Sequence, residues 1–326
     1  MRVRLLVTAL AVGLAVTAAA VLLGPDRITP AREHTGDADL AQQLAAHAET
    51  GHHRLAAFTI ADGRTTFAGL GADEHDEFEI GSVTKTFTAA LLADRGLEET
   101  TVGEIIDAGD FPVGDVTLRE LADHTSGLPR LGSTSFLRDL SSVITGDNPY
   151  AGVTREDVIA DALAAQLSDR GEEDYSNLGG ALLGHLLAVD AGTSYGELVT
   201  THLLTPLGMS STYPMTEGAV PDDAPRGRMS TGTVAEPWET EGYLPAGGLR
   251  STPADMARYT LHLLDTGVPD LTWAELEDGA RGHNGITYGF TTMLIVDPDS
   301  GRAVFVAGDT GRRVESVADA LFRELP

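Results

Sequence analysis

Ser82 stands three residues before Lys85 in the stretch FEIGSVTKTFTA, residues 78–89. If a helix begins there, the two side chains share one face and can touch. A serine hydroxyl is a weak nucleophile until a base takes its proton. A lysine becomes such a base when burial lowers its pKa, and the residues flanking Lys85 are apolar or uncharged. A helix N-terminus also favours the negative charge that develops on the oxygen. Two other readings compete for the same residues. A phosphate-binding loop needs its lysine directly after the second glycine, whereas Ser-Val-Thr separates Gly81 from Lys85. A helix cap with a solvated lysine would use the same short pattern, and S-x-x-K alone does not separate it from a nucleophile beside its base.

Two further triplets do. Tyr175-Ser176-Asn177 lies in DYSNLGG, and His283-Asn284-Gly285 lies in RGHNGITYGF, just before an expected strand. With S-x-x-K they stand in the order S-x-x-K, Y-x-N, H-x-G. The sequence here resembles the penicillin-recognising serine hydrolases: class C β-lactamases, D-Ala-D-Ala carboxypeptidases and their esterase relatives. In that family the third motif is K-T-G or its H-x-G variant. LADHTSGLPR (residues 121–130), TPLGMSST (205–212) and LPAGGLRSTPADMARY (244–259) look like further landmarks, so the resemblance covers roughly residues 40–326.

The resemblance implies an acyl-enzyme on Ser82, formed from D-Ala-D-Ala-type peptides, small esters or, less efficiently, β-lactams. Lys85 and Tyr175 would share the proton traffic, with the identity of the base left open. Asn177 would bind the substrate amide or steady Lys85. The backbone N–H groups of Ser82 and Ile286 would form the oxyanion hole. Gly285 would let the substrate approach the strand closely. His283 would replace the usual lysine beside the substrate carboxylate. His124 in DHTSGL would be structural, and no cofactor is implied. The partner would be a small-molecule or peptidoglycan-derived substrate. Ile286 and Tyr288 stand where the commoner pattern HNGGTGGF has small residues, and the segment between Tyr175 and His283 is short for a class C enzyme. A narrowed cleft would disfavour β-lactam turnover. The same motifs could also serve a surface module that binds or senses penicillin-like ligands without effective turnover.

The elements that must position these residues follow from pattern. RLAAFTIADGRTTFAGLG reads as a hairpin turning at Asp62-Gly63, and TTMLIVDPDSGRAVFVAG as a second turning at Asp299-Ser300-Gly301. Between them the chain is mostly helical. Gly96 and Gly192 supply helix stops, Thr154 and Asp157 a near capping box, and Thr252 a cap before Pro253. Residues from Tyr213 to Tyr243 read as loop. Strands first and last with helices between predict an α/β fold of the β-lactamase/DD-peptidase type. Its antiparallel sheet would combine residues 40–100 and 244–326 around a helical insertion, 101–243, with the site in the cleft between.

The formal charge of −27 and the lack of any basic stripe exclude nucleic acid as a partner. The absence of cysteine removes disulfides, thiolate metal sites and a cysteine nucleophile. His47, His52 and His53, and the acidic run from Asp73 to Glu77, match no metal-ligand spacing and read as surface. Arg2 and Arg4 precede an apolar run from Leu5 to Leu23. Residues 1–24 are therefore expected to be a signal peptide or a membrane anchor, followed by a linker over 25–39 and an exported catalytic body.

Overall fold

The computed structural model describes residues 28–132, 142 and 145–326. The expected signal or anchor, residues 1–24, lies outside the described residues. Strand β1 (His34–Gly36), helix α1 (Ala38–His47) and the hairpin β2 (Leu55–Ala61) and β3 (Arg64–Leu70) come first. Strand β4 (Phe78–Glu79) leads through a tight 3-10 turn, Gly81–Val83, into helix α2 (Thr84–Arg95). The middle holds the longer helices α3 (Arg155–Ala164) and α4 (Asn177–Ala191), then the short strand β5 (Tyr213–Pro214). Helix α5 (Leu244–Gly247), strand β6 (Leu249–Ser251) and helix α6 (Pro253–Thr266) follow. Strands β7 (Ala274–Glu275), β8 (Arg281–Ile286), β9 (Thr291–Asp297) and β10 (Arg302–Gly308), and helix α7 (Glu315–Arg323), close the chain.

Both chain ends build one antiparallel seven-stranded sheet in the order β1-β3-β2-β10-β9-β8-β7. Its centre is the pairing of β2 with β10, where Phe58 lies opposite Phe305. Side chains alternate between faces, and both faces are apolar. Phe58, Ile60, Leu294 and Phe305 face α2, α4 and α6, whereas Leu55, Ala57, Ile295 and Val306 face α1 and α7. The first of these cores runs without a break into the helical region, so sheet and insertion share it.

Local chemistry explains the boundaries. Asp62 and Gly63 both take positive φ, 51° and 71°, as a two-residue hairpin turn requires. Gly96 ends α2 in the left-handed region. Thr154 and Asp157 close a reciprocal capping box, and Thr252 caps α6 before Pro253. The linker expected over residues 25–39 ends sooner. His34–Gly36 pairs with Ala68–Leu70 as an edge strand, and Asp37 caps α1. Three polar residues at an edge show no apolar alternation, so only backbone hydrogen bonds mark that strand. No helix among the described residues is long and apolar enough to cross a membrane.

Candidate active site

The turn carrying Ser82 is pressed against the end of β8. Gly81 has φ +49°, and a Cβ there would stand 2.6 Å from the Ile286 nitrogen. Glycine alone allows that approach and that backbone conformation. From the other side, a Cβ on Gly285 would collide with the Ile80 carbonyl oxygen, which accepts the Thr292 hydroxyl at 2.9 Å. Gly285 therefore makes room for the nucleophile's own turn and does not line the cleft.

The same packing orients the Ile286 N–H. Thr287 N–H donates to Phe290 O at 2.9 Å at the end of the β8–β9 ladder. Antiparallel ladders alternate hydrogen-bonded and non-hydrogen-bonded pairs, so the Ile286–Thr291 pair is of the second kind. The Ile286 N–H then turns away from β9, toward the side on which Gly81 and Ser82 lie.

Helix α2 is buried around nearly its whole circumference, and Lys85 in its first turn is only 3% exposed. Lys85 Nζ lies 3.2 Å from Ser82 Oγ, 2.8 Å from Asn177 Oδ1 and 2.6 Å from the Ala246 carbonyl oxygen. Burial pushes the amine below the usual ammonium range, while Tyr175 beside it acts in the opposite sense. Two of the three partners are carbonyl oxygens that can only accept. Once neutral, the amine would satisfy both with its two hydrogens and keep one lone pair for a neighbouring hydroxyl, that of Ser82 or of Tyr175. The Tyr175 hydroxyl donates to Ser82 Oγ at 2.7 Å and also hydrogen-bonds Lys85.

Ser176 is the pivot of the second triplet. Its hydroxyl caps α4 by accepting from Gly179 N–H at 2.9 Å and donates to Pro129 O at 2.7 Å. Tyr175 and Asn177, on either side, are thereby aimed at Ser82 and Lys85. Together these groups form the floor of a cleft of about 510 Å³. A larger hollow, about 1140 Å³, lies behind the segment 237–241 and contains none of them.

The model of the Beta-lactamase family matches residues 38–281. The chain belongs to the beta-lactamase family. It is 32% identical over 212 residues to Beta-lactamase-like protein 2 of Dictyostelium discoideum, across 57% of this chain and 35% of that protein. The chain thus spans about a third of that relative's length. It is 26% identical over 347 residues to Penicillin-binding protein 4 of Amycolatopsis lactamdurans, across 86% of this chain and 84% of that one. The structure titled Beta-Lactamase/D-Alanine Carboxypeptidase from Pseudomonas syringae superposes with a TM-score of 0.71. At 18% identity it covers 88% of this chain and 98% of its own, and it shares the fold.

In this beta-lactamase-family protein Lys85 and Tyr175 meet at Ser82 Oγ and Asn177 holds Lys85, with the Ile286 N–H beside the turn that carries Ser82. His283 is 6% exposed, Nδ1 bonds the Asn284 carbonyl at 2.9 Å, and it does not line the cleft. Burial, and then the nearby Lys85, push its imidazole down to about 4. Its imidazole is therefore neutral near pH 7 and lies among buried groups beside Lys85. Asn284, next along the strand, faces the cleft instead, and its Nδ2 donates to Glu315 at 2.8 Å.

His124 is a buried structural residue. Its Nδ1 accepts the Ser176 N–H at 3.3 Å and its ring lies 4.4 Å from that of Tyr175. Burial pushes its pKa down to about 3. The other histidines considered for metal are dispersed: His47 meets Glu324, His52 the Arg313 carbonyl and His53 Asp309.

Several cleft residues escaped the motif reading. Ala246, whose carbonyl holds Lys85, and Arg130 at the cleft lip both sit inside landmark stretches, LPAGGLR and HTSGLPR. Trp238 and Tyr288 line one wall, ring against ring at 5.2 Å. Trp238 comes from a loop with no pattern that marks it. Beneath that wall Glu79 is 3% exposed and is hydrogen-bonded by the Thr287 side chain and the Trp238 backbone. It ties the nucleophile's strand, the oxyanion strand and the aromatic wall together.

Proposed function

We propose that the chain is an exported serine acyl hydrolase acting on small esters and D-Ala-D-Ala-type peptides in preference to β-lactams. The observation that carries this reading is the arrangement at the buried Lys85 Nζ, which two carbonyl oxygens hold within 3.2 Å of Ser82 Oγ. Ser82 Oγ attacks the substrate carbonyl carbon while its proton passes to Lys85. The oxyanion is held by the Ser82 and Ile286 N–H groups, each such donor being worth about 3 kcal/mol in the transition state. As the intermediate collapses, the bond to the leaving nitrogen or oxygen breaks. That atom takes a proton from the Tyr175 hydroxyl, which Lys85 restores. Water then enters by the same path in reverse and releases the acid. Lys85 and Tyr175 titrate as a unit along this route. Asn177 Oδ1 steadies Lys85, and its amide hydrogens remain for the substrate.

Substrate preference follows from the wall. Ile286 is 38% exposed and lines the cleft with Tyr288, filling space a fused bicyclic ring would need. Export is proposed from the basic and then apolar start of the sequence.

The test uses the full chain, a nitrophenyl ester and a penicillin or fluorophosphonate probe. Ser82→Ala should abolish labelling and ester turnover without unfolding the chain, since Ser82 caps no helix through its side chain. Labelling that survives in the mutant sinks the nucleophile. A stable stoichiometric penicillin adduct with no turnover of any ester would make the protein a binding or sensing module. Cephalosporin turnover faster than ester turnover would overturn the substrate preference.

A further inference from the structure

Arg130 is exposed at the lip of the cleft, its guanidinium carbon 5.2 Å from the centroid of the Tyr175 ring. Its backbone is fixed, because its carbonyl accepts the N–H groups of Asn177 at 3.0 Å and Leu178 at 3.3 Å. Among the described residues no carboxylate lies within 4.0 Å of its guanidinium. That is unusual in a chain of net charge −27, where acids are abundant. Arg313, the other arginine on the cleft, is held by Glu315 through Nε at 2.8 Å and Nη2 at 2.6 Å. Lys85 is buried with its donors engaged, and His283 is neutral and inward. Arg130 is therefore the permanent positive charge left uncommitted on the cleft among the described residues. The opposite wall, with Ile286, Trp238 and Tyr288, is apolar and aromatic.

We propose that Arg130 is a specificity-determining residue that pairs with a carboxylate on the leaving portion of the substrate. The side follows from Tyr175. Its hydroxyl serves the departing atom, and Arg130 stands over that same ring. A guanidinium offers a planar fork of donors that matches a carboxylate in two parallel hydrogen bonds. The pairing needs no covalent step of its own, and it rests on the acyl-hydrolase reading.

The experiment compares a phenyl ester with the 3-carboxyphenyl ester of the same acyl group. Both pass through one acyl-enzyme, so only acylation and binding can differ. Wild type should favour the carboxylated ester by about tenfold or more in kcat/KM, as a hydrogen-bonded charge pair allows. Arg130→Gln should erase that preference through KM, and Arg130→Lys should restore part of it. High salt should narrow it in wild type alone. Equal losses on both esters in Arg130→Gln would show that Arg130 acts on Tyr175 and would overturn the proposal, as would a wild type without preference. If neither ester is turned over, labelling of Ser82 by phosphonates with phenoxy and 3-carboxyphenoxy leaving groups gives the same ratio without deacylation. A ratio of one there also overturns the proposal. A chain that neither phosphonate labels overturns the acyl-hydrolase reading itself.

Discussion

Lys85 is the residue on which the site turns, and burial is the reason. With its amine pushed below the ammonium range, the acid limb of kcat/KM should lie well below the pKa of a free lysine, near 10.4. Lys85→Met keeps the volume of the stem and removes the base, so the rate should fall by about a hundredfold or more. Tyr175→Phe should do nearly as much damage. The double mutant should be little worse than either, because residues on one proton path are not additive. Independent, multiplying losses in the steady-state rates would separate them. At this scale the sequence was informative where chemistry is local. S-x-x-K within one helical turn, and Y-x-N around its capping serine, could be read as motifs because their geometry is short-range. How deeply His283 is buried was not legible, because elements distant in the chain bury it. Arg130 was passed over because its neighbours are supplied by Tyr175, forty-five positions away.

Two glycines set the meeting of elements. The 3-10 turn before α2 and the last residues of β8 interlock so closely that neither Gly81 nor Gly285 can carry a side chain. Gly285→Ala should push the Ile80 carbonyl, and with it Ser82, away from Ile286 N–H. The overpacking should cost about 1–3 kcal/mol in urea denaturation. Ser82 labelling should slow by more than about tenfold, as misplacement of a nucleophile commonly does. A mutant that is destabilised but labels at the wild-type rate would detach Gly285 from the site. Most elements were legible from local rules: Asp62-Gly63 for the hairpin, Gly96 and Gly192 for helix ends, Thr154 and Thr252 for caps. The edge strand β1 was not, since nothing in three polar residues announces it. Nor was the wide π turn over Thr200–Leu204, which continues a helical pattern with a different hydrogen-bond spacing.

Across the whole molecule, burial of neutral histidines ties stability to pH. His124, His185 and His283 are held at about 3, 4 and 4 by burial, against 6.5 when free. Below pH 6.5 the unfolded chain takes up protons that the folded chain refuses, so stability falls as pH drops toward 4. At pH 5 each such histidine costs about 2 kcal/mol. Glu79 works the other way, since burial raises its carboxyl, and offsets part of the loss. Urea unfolding should show a midpoint that drops steeply between pH 7 and 5, and a flat profile would contradict the burial of these rings. The antiparallel α/β sheet was readable from strands at both ends of the sequence, but the shared core was not, because periodicity shows which faces are apolar and not what covers them. That sheet also imposes an order in time. Its central pair, β2 with β10, joins residues 55–61 to residues 302–308, and the turn carrying Ser82 meets the Ile286 N–H only when β8 arrives. A chain growing from its N-terminus carries the nucleophile long before it can use it. Contacts of such long sequence separation form late and slowly. The newborn polypeptide should therefore be chemically silent toward acylating agents until β8, β9 and β10 have been made and have joined β2, so that reactivity at Ser82 reports closure of this sheet.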